Sequence, residues 1–200
     1  IDLQEIEKAD PMSRTQLGIP EDAFIVGMVG RLSKQKAPDT FVKAAKLIKE
    51  KIPNAFFLMV GDGELRDQIK KLINQYNLDS SFLITGWVDR PISYMKTMNV
   101  GMLLSRWEGF GLVLPEYMAC GVPIVATNVD AIPNIVKNGK NGMLVDKDDY
   151  LKIAQISVKI YNERMLQRNI ISQERLQVNF YSGKRLADQN IKMYKWVLNI

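Results

Sequence analysis

Histidine is missing from all 200 residues, and cysteine occurs once, as Cys120. Without histidine there is no Ser-His-Asp or Cys-His machinery, and most zinc chemistry goes with it. One cysteine excludes a disulfide framework and a cysteine-built metal site. Cys120 lies in the apolar stretch Y-M-A-C-G, where a small buried side chain is the simplest role. No run approaches the ~20 apolar residues of a membrane span, and no signal peptide is visible. Dense runs of lysine and arginine interleaved with aromatics are also lacking. The net charge of +5 could serve nucleic acid, anionic lipid or a phosphate ligand, and the scattered lysines and arginines make nucleic-acid binding a weak reading.

What is present is an ordinary globular balance, with 46% hydrophobic and 24% charged residues, inside the usual range for one folded domain. A chain of this length buries roughly 70% of its unfolded surface, so the core needs no covalent or metal support. Short apolar runs alternate with amphipathic segments. Strands are expected at 23–30, 55–61, 82–85, 100–104, 123–126 and 142–145. Helices are expected at 40–51, 64–76, 92–98 and 112–120, and from Tyr150 onward, with Ser182 capping the last. The strands are almost continuously apolar, as in a parallel sheet covered on both faces. The reading is a Rossmann-like, doubly wound α/β fold of about six strands in one domain.

In such a sheet, ligands bind beyond the carboxyl ends of the strands. Four sequence clusters fall there: G-R-L-S-K-Q-K from Gly30, G-D-G from Gly61, G-W-V-D from Gly86, and S-R-W-E-G-F-G from Ser105. Arg31 and Lys36 offer an anion pair, a forked guanidinium beside a mobile ammonium. A solvated basic loop is the plain alternative. Gly109 and Gly111 lead into a helix whose first N–H groups could face a phosphate or a sugar oxygen, although the third glycine of a dinucleotide fingerprint is lacking. Glu116 sits in the first turns of that helix, where a carboxylate also suits the macrodipole. Glu108 and Glu116 could each accept sugar hydroxyls. A glycosidase-like acid/base pair is the other reading of two such carboxylates, and spacing along the chain does not choose between them.

The segment E-G-F-G-L-V-L-P-E-Y-M-A-C-G-V-P-I-V-A-T resembles the E-x7-E signature of the GT4-type family of retaining glycosyltransferases (glycosyl transferases group 1). V-G-R-L-S-K-Q-K-A, V-G-D-G-E-L-R, I-T-G-W-V and I-P-N-I-V-K-N-G-K-N-G-M-L-V resemble further family segments in the same order. The opening Ile1-Asp2 is similar to the junction preceding the family's C-terminal domain, and a first residue other than methionine points to a piece of something longer.

The resemblance implies the C-terminal, nucleotide-sugar-binding half of a two-domain GT-B enzyme. Residues 1–20 would form a lead-in and 150–200 a helical end, with the N-terminal acceptor domain absent. It implies transfer of a hexose from a UDP- or GDP-sugar to an acceptor hydroxyl with retention, and an inactive isolated half. Arg31 and Lys36 would hold the diphosphate, Glu108 a sugar hydroxyl and Glu116 the ribose, so that Glu108, Arg31 and Lys36 carry the catalysis. Gly30, Gly61, Gly109 and the backbone of Phe110, Gly111 and Leu112 would line the donor, and Gly86, Trp87 and Val88 would frame the base. No metal or other cofactor is called for. The partners implied are the nucleotide-sugar donor and a carbohydrate or lipid-linked acceptor, without nucleic acid. The implied location is cytoplasmic, with peripheral contact at the inner face of the membrane open to the parent protein. A non-catalytic nucleotide-sugar-binding module and a GT-B isomerase are the alternatives. Three departures stand out: Ala37 where the family has glycine, Asp130-Ala131 where it tends to have Gly-Gly, and Asn134 in place of glutamate.

Overall fold

The structure is a computed structural model and describes residues 1–198. Six strands, β1 (Phe24–Val29), β2 (Ala55–Val60), β3 (Phe82–Ile84), β4 (Val100–Leu103), β5 (Ile124–Thr127) and β6 (Met143–Val145), form one sheet. All neighbours pair in parallel, in the order β3-β2-β1-β4-β5-β6. The expected strands are all present, most of them a residue or two shorter.

Alternation along β1 shows how the layers are built. Phe24, Val26 and Met28 point to one face and Ile25 to the other, because successive strand side chains point oppositely. The first face packs against α2 (Pro38–Lys51), α3 (Arg66–Gln75) and α7 (Tyr150–Asn162). The second is covered by α4 (Pro91–Met95), α5 (Val113–Cys120) and α6 (Ile132–Ile135). Gly101 in β4 makes room for α5: a Cβ there would lie 2.7 Å from the fully buried Tyr117 ring. A short helix, α1 (Leu3–Lys8), capped by the Asp2 carboxylate, packs beside α5.

The C-terminal part contains α8 (Arg164–Gln177) and α9 (Gly183–Leu198). Ser182 Oγ accepts from the Arg185 N–H at 3.2 Å, as a cap should. No residue of α9 is buried, and Leu186, Ile191, Tyr194 and Trp196 are all exposed. No helix among the described residues is long and apolar enough to cross a membrane.

Topology fixes where a ligand can enter. The strand order reverses between β1 and β4, and the helices that follow them, α2 and α5, lie on opposite faces. That divergence leaves a crevice beyond the two strand ends, at the switch point of the sheet.

Candidate functional site

The loops after β1, β2 and β3 are stitched together by backbone. Gly30 N–H donates to the Val60 carbonyl at 3.0 Å, and Leu32 N–H to the Asp62 carbonyl at 2.9 Å. Gly61 lies so close that a Cβ would stand 2.1 Å from the Gly30 carbonyl oxygen, so a side chain is excluded there. Gly61 also bridges to Gly86. An open groove of about 270 Å³ results, lined by Gly30, Arg31, Gly61, Asp62, Trp87 and Val88 among others. Trp87 is 76% exposed at its edge. Asp62 accepts from Gly63 N–H and pairs with Arg66; the backbone bond first, then Arg66, holds its carboxyl below the usual carboxylate range.

The second part of the site lies beyond β4. Lys36 Nζ donates to Glu108 Oε2, closing an ion pair between residues 72 positions apart. Ser105 Oγ donates to the same carboxylate oxygen at 2.9 Å, and Thr127 Oγ1 fixes the Ser105 carbonyl at 2.6 Å. Glu108 is 8% exposed. Burying a carboxylate is costly unless it is paired and hydrogen-bonded, and here both conditions are met.

Arg106 joins this loop to the one carrying Lys36. Its Nε donates to Asp148 at 3.0 and 3.1 Å, one terminal nitrogen to the Lys34 carbonyl at 2.8 Å, and the other to Asp39 at 2.8 and 3.0 Å. Its backbone N–H donates to the Gln35 carbonyl at 2.7 Å, and Gln35 Nε2 returns a bond to the Trp107 carbonyl at 3.0 Å. Partial burial works against the Arg106 charge, but the bonds to Asp148 and Asp39 outweigh it and raise its pKa. Asp148 responds in kind: burial opposes its charge, yet Arg106 and the Thr40 hydroxyl hold it below its ordinary value.

Beyond Glu108 the chain opens. Gly109 has empty space where a Cβ would point, and Gly111 takes a left-handed φ of 81°. Phe110 is half-exposed with its ring edge-on to Tyr181, and Leu112 is exposed. Glu116 falls in the first turn of α5, partly buried, and burial raises its carboxyl pKa. Cys120, at the end of α5, has its thiol pushed up to about 12, chiefly by burial, which disfavours the thiolate at neutral pH.

The expected residues thus gather along one rim but in two groups. Gly30, Arg31, Gly61, Trp87 and Val88 share the groove, with Gly86 behind them. Lys36 and Glu108 form the ion pair at the crevice, and Arg31 has no ion-pair partner among the described residues. Sequence reasoning did not single out Arg106. Its partners lie 42 to 72 residues away in sequence, and one arginine in S-R-W-E gives no sign of them. Two of the departures acquire a physical account. Ala37 has φ 51° and ψ 50° and Asp130 has φ 44°, the left-handed conformation that favours glycine.

The model of the family "Glycosyl transferases group 1" matches residues 10–177. The UDP-Gal:alpha-D-GlcNAc-diphosphoundecaprenol alpha-1,3-galactosyltransferase of Escherichia coli is 34% identical over 170 residues, covering 84% of this chain and 43% of the relative. The chain spans less than half the length of the curated relatives it matches first. Among solved structures, Anabaena HepE in complex with UDP-glucose superposes with a TM-score of 0.87 at 22% identity, over 98% of this chain and 55% of that one. The C-terminal domain of the group 1 protein LpcC from Francisella tularensis gives 0.79 at 24% identity, over 92% of this chain and 99% of that one.

Proposed function

The chain belongs to the glycosyl transferases group 1 family, and from that premise we propose that it is the donor-binding domain of a retaining hexosyltransferase. The Lys36–Glu108 pair at the switch-point crevice, next to an open glycine turn, carries this reading. A cation and a hydroxyl acceptor meet where the sheet leaves space for a ligand. Residues 1–20 serve as lead-in and 150–200 as the C-terminal part, whose last two residues lie outside the described ones. The acceptor site belongs to an N-terminal domain outside this chain. A UDP-sugar is the favoured donor class, because the Escherichia coli relative is named for UDP-Gal and HepE was solved with UDP-glucose.

The chemistry follows from where charge develops. As the bond between the anomeric carbon and the diphosphate oxygen breaks, negative charge accumulates on the departing diphosphate. Fixed donors stabilise it without reorganising. Arg31 and Lys36 supply full positive charge, and the backbone N–H groups of Phe110, Gly111 and Leu112 line the approach at the start of α5. Glu108 accepts a hydroxyl of the donor sugar and Glu116 the ribose diol. The base rests along Gly86, Trp87 and Val88. The acceptor oxygen bonds to the anomeric carbon on the face the diphosphate leaves, and its proton passes to the departing diphosphate oxygen. The acceptor is a carbohydrate or lipid-linked hydroxyl compound, met on the cytoplasmic side with peripheral membrane contact by the whole protein.

Calorimetric titration of the chain with UDP, GDP and ADP tests the assignment, beside Glu116→Ala and an Arg31→Ala/Lys36→Ala variant. One nucleotide is expected to bind, at least about tenfold more weakly to each variant, a loss of ~1.4 kcal/mol for one charge-assisted contact. Equal affinity in all three proteins would overturn the site assignment. Sugar transfer by this chain alone is expected to be absent.

A further inference from the structure

The loop after β5 holds a strained residue with a long reach. Asp130 sits at φ 44°, a conformation that costs an L-residue with a side chain and is kept where surrounding structure demands it. It is exposed, so burial does not hold it there. Its carboxylate Oδ2 instead accepts the backbone N–H of Glu108 at 2.8 Å, across 22 residues of chain. That N–H belongs to the residue whose carboxylate meets Lys36 and Ser105, and the next residue, Gly109, has no Cβ and open space around it. The turn from Glu108 to Gly111 thus has no side chain to anchor it at Gly109 and is tied at its start by Asp130.

We propose that Asp130 is a positioning residue: it holds the Glu108–Gly111 turn so that the Glu108 carboxylate faces the sugar of the donor. This rests on the donor-binding reading above and deepens it. Asp130 acts through backbone geometry, so it weighs more on the sugar-bearing donor, whose sugar meets Glu108, than on the bare nucleoside diphosphate, which Arg31 and the base-binding loop hold as well as this turn. A glycine at 130 suits the left-handed backbone and folds, but lacks the acceptor. An asparagine keeps an acceptor oxygen and tolerates the same conformation.

The test uses the 15N-labelled chain and its Asp130→Gly and Asp130→Asn variants. Amide hydrogen exchange at Glu108 is followed, and UDP and UDP-hexoses are titrated into each. Asp130→Gly is expected to speed Glu108 exchange about tenfold, as one lost hydrogen bond should, and Asp130→Asn less than about threefold. The ratio of UDP-hexose to UDP affinity is expected to fall about tenfold in Asp130→Gly, with UDP affinity lowered by less than about threefold and the ratio largely restored by Asn. Unchanged exchange at Glu108 in Asp130→Gly would overturn the proposal. So would intact UDP binding with an unchanged ratio, or an equal loss for both ligands. Absence of any binding to the unmodified chain would overturn the donor reading itself, and the proposal with it.

Discussion

Two glutamates leave water in this molecule and are treated in opposite ways. Glu174 on α8 has no exposure, and neither carboxylate oxygen has a hydrogen-bond partner. Burial pushes its pKa up to about 9, so at neutral pH it sits in the interior as an uncharged acid. Glu108 at the end of β4 is almost as deeply buried, yet it has Lys36 against one oxygen and the Ser105 hydroxyl beside it. One site sheds its charge and the other surrounds it. Polar partners are concentrated around the crevice, where Arg106, Asp148 and Asp130 brace the same loop. The helical end holds its acid with only the Ile124 backbone working weakly against the effect of burial.

The largest effect expected from this contrast lies in the pH dependence of stability. The folded-state pKa of Glu174 is raised above its unfolded value, so the folded protein holds a proton that the unfolded chain releases. Its contribution is fully present below about pH 4.5 and is lost as pH rises towards 9. Between pH 5 and 8 that amounts to up to about 4 kcal/mol, by the 1.36 kcal/mol per pKa unit of linkage. Urea unfolding across this range should show the decline in the unmodified chain and a much flatter curve for Glu174→Gln. Parallel curves would contradict the assignment.

Breaking the other carboxylate's partnership comes next. Lys36→Met leaves Glu108 without its countercharge and should cost about 2–3 kcal/mol at pH 7. Adding Glu108→Gln should recover most of the loss, with a coupling of about 2 kcal/mol in the double-mutant cycle. Additive losses would mean the pair is not coupled. Arg106→Lys retains charge but forfeits the fork that serves Asp39, Asp148 and Lys34 together, and should cost about 1–2 kcal/mol by chemical denaturation. No measurable change would show that the brace is dispensable.

The smallest effect concerns Ala37. In a helix interior, alanine to glycine costs about 1 kcal/mol. Here the left-handed backbone offsets that cost, so Ala37→Gly should change stability by less than about 0.5 kcal/mol. A loss of the full helical amount would argue that the alanine methyl, buried at the start of α2, outweighs the backbone strain.

Much of the fold was legible because parallel strands covered on both faces must be continuously apolar. A-F-F-L-M-V and F-I-V-G-M-V say so without help. Helices α1 and α6 were not visible. LQEIEK and IPNI have too few turns for periodicity to show, and α1 depends on its Asp2 cap and its packing beside α5. At the site, residue types at strand ends were readable, but their pairing was not. Lys36 meets Glu108, and Asp130 reaches the Glu108 N–H, because β1, β4 and β5 are neighbours in the sheet, which no local pattern encodes. The left-handed backbone at residue 37 accounts for a family glycine that the sequence showed only as a departure.

On this account the crevice beyond β1 and β4 receives a nucleoside diphosphate sugar. A 1H–15N NMR titration of the chain with UDP-hexoses and GDP-hexoses, to millimolar concentration, tests it most directly. Shifts concentrated in residues 30–37, 86–88 and 108–116, from one nucleotide class, are the predicted result. No shifts at the limit, or shifts confined to surfaces away from the strand ends, would contradict it.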